Sequence, residues 1–182
     1  EWANAPVYNW IEICPWLEAD FEGTQIMEAI DDEEDFSEVI DIPFPFRYYG
    51  EEFDQITVCS NGWIAVGDQS ELKNQQNWLL PGINGAYGMM AVFWDRLHFN
   101  GDDDGICYYY DDLEGRFIIE WIGNVEEEGD PMQNAFQIIL YDANRYETPT
   151  GDSQILYQYH TVNNLQDQWE ANAGASVGIS SP

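Results

Sequence analysis

An acidic turn carries the clearest pattern of metal-ligating side chains in the sequence. Residues 100–105 read Asn-Gly-Asp-Asp-Asp-Gly, in which Asn100, Asp102 and Asp104 have the spacing of a calcium-binding loop. Asp111 stands where an EF-hand has its last ligand, but the strand-like residues before it would carry it roughly 17 Å away. The EF-hand is therefore rejected. Two interpretations stay open: a simpler calcium loop between two strands, with calcium as the cofactor, and a solvated acidic turn.

Aromatic side chains form the second group of candidate functional residues, because exposed aromatic rings can bind a sugar by stacking on it. The chain has 8 Trp, 11 Tyr and 9 Phe, and the candidate ligand-binding residues are Trp78, Tyr109 and Trp169. Tyr109 stands between two further tyrosines, and side chains alternate between the faces of a strand, so at least one of the three rings is expected near solvent. The alternative is that the aromatics fill a core and pair across strands.

Catalytic patterns are the third possibility, and the sequence offers little for them. His98 and His160 are the only histidines, and neither HExxH, GxSxG nor a glycine-rich phosphate loop occurs. Carboxylate pairs at glycosidase spacing must arise by chance among so many acids, so they carry no information. We expect a protein that is not an enzyme.

Charge excludes two classes of partner. The 182 residues carry 35 Asp and Glu against 5 Lys and Arg, a formal net charge of −30. Such a chain lacks the basic clusters that bind nucleic acid, and anionic membranes repel it. A surface like this fits either a halophilic protein or one that collects calcium. The acidic block from Asp31 to Asp35 is expected to be a solvated loop, with a metal or a basic partner as the alternative.

Cysteines and the first residues leave the compartment open. Cys14, Cys59 and Cys107 permit one disulfide and a free thiol, or three reduced thiols, and they form no CxxC pair. The first residues lack the basic and apolar parts of a signal peptide, although a processed secreted chain would look the same.

Strand periodicity dominates the elements that must position these residues. Apolar and polar residues alternate in many short runs, as at Phe117, Ile119 and Trp121, which share one face. About ten strands are predicted, within Val7–Ile13, Glu38–Arg47, Ile56–Ser60, Trp63–Val66, Met89–Trp94, Ile106–Tyr110, Phe117–Ile122, Phe136–Tyr141, Ile155–Tyr159 and Ala173–Ile179. This pattern predicts an all-β, antiparallel, jelly-roll-like sandwich with long acidic loops, in a single domain over residues 1–182.

Turn residues refine the prediction. Asn61-Gly62 between two β-rich runs predicts a tight type I′ hairpin, because both central residues of that turn need a positive φ. Pro43 and Pro45 lack a backbone donor, so their strand is expected at a sheet edge or a bend. One short helical turn is predicted near Ser70 to Trp78, and the connection from Glu18 to Ser37 is expected to be a long loop.

Three motifs give the sequence a family resemblance. Residues 42–50 (IPFPFRYYG), 58–64 (VCSNGWI) and 91–95 (AVFWD) resemble a β-sandwich module of secreted bacterial proteins, and later strands fit the same pattern. The matching structural residues are Asn61, Gly62, Trp94 and Asp95. Such modules are similar to accessory domains beside secreted peptidases, and the Ser-Asn-Gly hairpin resembles nidogen-like extracellular domains. The resemblance carries no catalytic residues.

Two departures from that pattern shape the functional expectation. Arg96 stands where the family usually has a second acid, and the sequence ends at Pro182 where the family usually continues into a closing strand. A sandwich without its closing strand has an open edge that can accept a strand from another chain, unless the chain is a fragment.

The resemblance therefore implies a non-catalytic structural or adhesive module, extracellular or on a bacterial cell surface. It would self-assemble into a filament or layer, with Glu1 to Pro6 as the donated strand, or join neighbouring domains of a larger protein. The alternatives are an accessory module that binds carbohydrate or peptide, and a calcium-stabilised adhesion domain. No nucleic acid and no membrane insertion are expected.

Overall fold

Ten strands form two antiparallel sheets, as the computed structural model shows for residues 7–17, 20–28, 35–73, 77–82, 84–99, 101–125, 133–163 and 174–182. In chain order the strands are β1 (Thr24–Glu28), β2 (Ser37–Tyr48), β3 (Glu51–Cys59), β4 (Trp63–Val66), β5 (Met89–Trp94), β6 (Gly105–Asp111), β7 (Arg116–Asn124), β8 (Gln133–Tyr141), β9 (Ile155–Thr161) and β10 (Ser176–Ile179). Sheet A has the order β1-β6-β7-β8-β9, and sheet B has the order β10-β5-β4-β3-β2. The predicted all-β sandwich is confirmed.

The core lies between the inner faces of the two sheets. The alternation predicted for β7 is present: Phe117, Ile119 and Trp121 join the inner core, while Glu120 lies on the outer face with Ile118. Trp121 also ties the sheets together, since its Nε1 donates a hydrogen bond to the carbonyl of Cys59 in sheet B over 2.9 Å. This scaffold fixes which side chains reach either outer face.

Edge placement of β2 follows from its prolines, as predicted. β2 is the last strand of sheet B, and its pairing with β3 shifts between Asp41 and Phe46, the stretch that holds Pro43 and Pro45. A proline cannot donate to a ladder, so the strand bends where the two residues stand.

The hairpin at Asn61-Gly62 is present, but its turn type differs from the prediction. Cys59 pairs with Trp63, which leaves a three-residue loop. Of the two predicted turn residues, Gly62 alone has a positive φ, of 74°, and its amide donates to the Cys59 carbonyl over 3.3 Å. This is a type I turn followed by a left-handed glycine, so the predicted type I′ turn is wrong.

Three further local predictions are wrong. Val7 to Ile13 is not a strand, because it crosses the outer face of sheet A instead of pairing along it. The expected loop from Glu18 to Ser37 contains β1, which extends sheet A beside β6. The predicted helical turn near Ser70 to Trp78 is not helical in its described residues, which form a hydrogen-bonded turn from Gln69 to Leu72.

The described part of the chain contains no apolar helix of membrane-spanning length.

Candidate functional site

A row of polar side chains crosses the outer face of sheet A from edge to edge. Each strand contributes one residue, and the register pairs every member directly with the next. We call this set the polar row: Gln25, Cys107, Glu120, Gln137 and Gln158. Cys107, Glu120 and Gln137 are fully buried, although outer-face polar residues normally contact water. Something must therefore cover them.

The cover is the segment of residues 7–17, which we call the strap. It crosses β9, β8 and β7 in turn, with about two residues for each strand. The Asn9 amide donates to Gln158 Oε1 over 3.1 Å, Gln137 Nε2 donates to the Ile11 carbonyl over 2.5 Å, and the Ile13 amide donates to Glu120 Oε2 over 3.3 Å. The polar row thus supplies the hydrogen bonds that a neighbouring strand would otherwise supply.

Aromatic and apolar contacts fix the strap at both ends. Tyr8 Oη is hydrogen-bonded to Nδ1 of His160 over 3.0 Å, and the Trp10 ring lies 5.1 Å from the His160 ring. Further along, Trp16 Nε1 donates to the Asp103 carbonyl over 2.8 Å. Between these ends, Ile11 and Ile13 pack on the outer face of sheet A. His160, the exposed histidine, therefore has a structural role.

Two acids and a thiol meet where the strap crosses β7. One ligand atom from each of Glu12, Cys14 and Glu120 lies within 4.8 Å of the others. The Cys14 thiol is also hydrogen-bonded to that of Cys107. We call these four residues the acid–thiol cluster. Cys14, Cys107 and Glu120 are fully buried, and all three cysteines of the chain are free thiols.

Burial sets the protonation of this cluster. Desolvation, reinforced by the Glu12 carboxyl beside it, raises the pKa of Glu120 to about 9. Burial, with added repulsion from Cys107, Glu120 and Glu12, also raises the pKa of the Cys14 thiol. At neutral pH Glu120 and Cys14 are therefore protonated in the metal-free protein. The hydrogen bonds from Gln137 and Ile13 oppose the shift of Glu120 but do not offset it.

Sequence reasoning missed this site, although a signal for it exists. Glu120 interrupts the apolar run of β7, Gln137 interrupts β8, and Gln158 stands in the middle of β9. A lone polar residue at the centre of successive strands indicates a row across a sheet, provided that the strand register is known. The sequence does not contain that register.

Of the predicted calcium ligands, the structure places Asp102 and Asp104 in one turn before β6. Asp102 is exposed, whereas Asp104 is buried and accepts hydrogen bonds from three of the described residues. Oδ2 accepts from the Gly101 amide and from Asn124 Nδ2, each over 2.8 Å, and Oδ1 accepts from Gln133 Nε2 over 3.2 Å. The third predicted ligand, Asn100, lies outside the described residues. The calcium loop stays a prediction.

Melting curves with and without millimolar calcium test that prediction. If the turn binds calcium, the melting temperature rises with the ion by mass action, and the rise is lost in Asp102→Ala/Asp104→Ala. Because Asp104 also closes its own turn, Asp102→Ala alone is the milder variant and keeps the hydrogen bonds of Asp104. A wild-type curve that calcium leaves unchanged would exclude the calcium loop.

The predicted sugar-binding aromatics do not share a surface. Tyr109 lies on the outer face of sheet A, where its ring stacks on Phe21 at 4.8 Å. Trp78 is 43% exposed and lies beside β10 in sheet B, with its carbonyl accepting a hydrogen bond from Ser176 Oγ. Trp169 lies outside the described residues, as do residues 31–34 of the acidic block and the N-terminal residues 1–6.

The motif residues of the resemblance form one connected corner. Asn61 is fully buried, and its side chain contacts three segments: Nδ2 donates to Asp35 and to the Lys73 carbonyl, and Oδ1 accepts from the Leu97 amide. The Asp95 amide donates to the Asn61 carbonyl over 3.3 Å.

Gly62 and Trp94 extend this corner into sheet B. The Gly62 carbonyl accepts from the amides of Val92 and Phe93, which joins β4 to β5. Trp94 is buried in a cluster on the outer face of sheet B. His98 is buried and bridges to Asn124 through its backbone. These contacts connect the hairpin, β5 and the segment after it.

Comparison with known proteins assigns most of the chain to one sequence family. The family model described as NIDO related matches residues 16–182, a range that contains all ten strands. Comparisons with curated proteins and with solved structures found no match. The matched range begins near the end of the strap, so Glu12 and Cys14 precede it while Cys107 and Glu120 lie within it.

Proposed function

The chain belongs to the NIDO-related family, and from that premise we propose that it is a non-catalytic structural module that joins to further copies of itself through the edge of sheet B. The all-β fold and the family indicate an extracellular-type module, of a kind that is typically non-catalytic. The observation that carries the finer proposal is an exposed apolar surface along β10.

Four apolar side chains lie together at that edge. Val177 and Ile179 occupy alternate positions of β10 and are 55% and 44% exposed. The Ser176 hydroxyl donates to the Trp78 carbonyl, which brings the backbone of the segment with Trp78 and the 84% exposed Leu79 next to β10. We call these four residues the β10 edge patch. A cluster of exposed apolar side chains of this kind is typical of an interaction surface.

β10 lacks the charges and prolines that protect many sheet edges. Within the described residues it pairs only with β5, and its sequence, Ser-Val-Gly-Ile, has neither charge nor proline. Proteins usually protect an edge with charges, prolines or a covering segment. β2 has two prolines and acidic residues, β1 carries Glu28, and β9 is contacted by the strap at Gln158 and His160. β10 is therefore an edge that offers apolar and main-chain groups to another chain, although Tyr157 Oη already donates to the Gly178 carbonyl.

The negative charge of the chain opposes association, so the proposal predicts a specific dependence of assembly on salt concentration. Copies that each carry −30 repel one another strongly, but the repulsion is screened when the Debye length falls to ~8 Å at about 0.15 M salt. The uncharged β10 edge patch does not add to this repulsion. Assembly is therefore expected to increase with ionic strength, unlike association held by salt bridges.

Light scattering measures the predicted assembly directly. The wild-type chain is expected to exceed its monomer mass of 21.0 kDa increasingly as salt rises, while Val177→Lys/Ile179→Lys stays monomeric at every salt concentration. Leu113→Lys is the matched control, since Leu113 is 88% exposed in the β6–β7 loop, and it should assemble like wild type. A monodisperse wild-type monomer at high salt would refute self-association.

A truncated chain separates the two possible forms of the contact. If residues 1–6 donate a strand to the edge of a neighbour, their deletion abolishes assembly. If two edges or apolar patches meet directly, the truncated chain assembles as before, and only the β10 variants fail. Either result leaves the β10 edge patch as the accepting surface.

A further inference from the structure

We propose that the acid–thiol cluster binds one divalent cation of borderline softness, with Zn²⁺ the best match, through Glu12, Cys14 and Glu120. The Cys107 thiol contacts Cys14 but does not belong to this set of three ligand atoms. This site is independent of the β10 edge patch, which belongs to the other sheet.

The spacing of the ligand atoms fits a single ion. A tetrahedral zinc site has Zn–O distances of about 2.0–2.2 Å and Zn–S distances of about 2.3 Å, so its ligand atoms lie a little under 4 Å apart. The ligand atoms of Glu12, Cys14 and Glu120 already lie within 4.8 Å of one another. Shifts of about 0.5 Å per atom would bring these atoms to tetrahedral distances. Glu12 is half-buried, and hydrogen bonds from Trp10 Nε1 to its Oε2 and from the Cys14 amide to its Oε1 hold it beside the site.

Two carboxyl groups that share a buried site point to a proton or a cation between them. Glu120 is fully buried, no N–H or hydroxyl of the described residues donates to its Oε1, and the Glu12 carboxyl lies within hydrogen-bonding reach of the Glu120 carboxyl. The other oxygen of Glu120, Oε2, is held by the Ile13 amide and Gln137 Nε2. Two such carboxyls repel each other when both are ionised, unless a cation lies between them. A cation beside Glu12 and Glu120 would remove that repulsion.

The donor set favours zinc over calcium. Calcium and magnesium prefer sites made entirely of oxygen, whereas thiolates select zinc or copper. The charged neighbours that act on Glu120 and Cys14 are acids and thiols, so a dication would let these groups ionise and would compensate their charge. Binding would release protons as each ligand ionises.

A bound ion would fasten the strap to the sheet. Glu12 and Cys14 belong to the strap, whereas Glu120 belongs to β7. The proposed site therefore joins segments far apart in the sequence, as structural zinc sites commonly do.

Metal titration of the reduced full-length chain, near neutral pH and with a phosphine reductant, tests the proposal. We expect one tightly bound Zn²⁺ per chain by native mass spectrometry, a higher melting temperature with the ion, and a thiolate-to-metal absorption band with Co²⁺. Cys14→Ser should abolish the band, and Glu120→Gln should weaken binding at least about 100-fold. Glu120→Gln has the shape of the protonated side chain, so a folded variant that fails to bind would show that the effect is local.

A surface control is needed because the chain is so acidic. Glu51 and Glu52 are exposed at the start of β3, and Glu51→Gln/Glu52→Gln should bind the ion as wild type does. Equal zinc binding by wild type, Cys14→Ser and Glu120→Gln would overturn the proposal. So would a cobalt complex without the thiolate band, or a purified native chain in which Cys14 and Cys107 are already joined as a disulfide.

Discussion

Replacing Gly62 by alanine is expected to lower the melting temperature by about 10 °C or more, corresponding to at least ~3 kcal/mol of unfolding free energy. Gly62 has a φ of +74°, and a Cβ there would lie 2.0 Å from the Phe93 carbonyl oxygen. Backbone cannot move aside as a side-chain tip can. Relief of this overlap would separate β4 from β5 and break the hydrogen bonds that the Gly62 carbonyl accepts from Val92 and Phe93.

Gly67→Ala is the matched control for this prediction. Gly67 has nearly the same backbone conformation, with φ of +71°, but no atom lies within 4 Å of an added Cβ. It therefore bears only the left-handed backbone cost of about 1 kcal/mol. Thermal unfolding of both variants separates close packing from conformational strain, and equal losses of stability would show that the contact with Phe93 is unimportant.

Glu120→Gln is expected to raise the melting temperature of the metal-free protein by an amount that increases with pH. The carboxyl has a pKa of about 9 in the folded protein against 4.5 as its ordinary value. Between those values the folded protein binds a proton that the unfolded chain does not, so its free energy of unfolding falls as pH rises. The wild-type protein loses no unfolding free energy through Glu120 below about pH 4.5. It loses on the order of 3 kcal/mol by pH 7, and the loss stops growing above about pH 9.

Glutamine removes the pH dependence of stability that Glu120 causes, because it cannot ionise. Its amide has nearly the shape of the protonated acid. Thermal unfolding with a chelator present should show variant and wild type together near pH 4.5 and about 10 °C apart by pH 7. Glu114→Gln, at an exposed position of the β6–β7 loop, is the control for a Glu-to-Gln change at a solvated site. A constant difference between Glu120→Gln and wild type across this pH range would contradict the protonation assigned to Glu120.

The strands were predictable because their burial is regular. β4 and β5 have the predicted bounds, and β7 has the predicted faces, since one face of each sheet packs in a single core. Val7 to Ile13 shows why the same signal fails elsewhere. Its alternation is real, because Ile11 and Ile13 are buried, but they pack across a sheet rather than within one. Alternation reports which side chains are covered, not which backbone is paired.

The functional region was harder to predict because it depends on register. Asn61 and Gly62 are adjacent, so a local rule found their hairpin, although the rule gave the wrong turn type. Glu12 and Glu120 are separated by more than 100 residues, and only the pairing of β6, β7 and β8 brings Cys107 and Gln137 to the same row. No pattern within a short window contains that information.

The path of the strap determines how the molecule would respond to mechanical tension. Its hydrogen bonds to Gln158, Gln137 and Glu120 lie one after another along the segment, so a pull on residue 7 loads them singly rather than together. Strands of the sandwich share a load across whole ladders. Under force the strap would therefore peel first, releasing ~35 Å of chain at about 3.3 Å per residue while the two sheets stay closed. The segment would act as an extensible tether in series with a stiff domain.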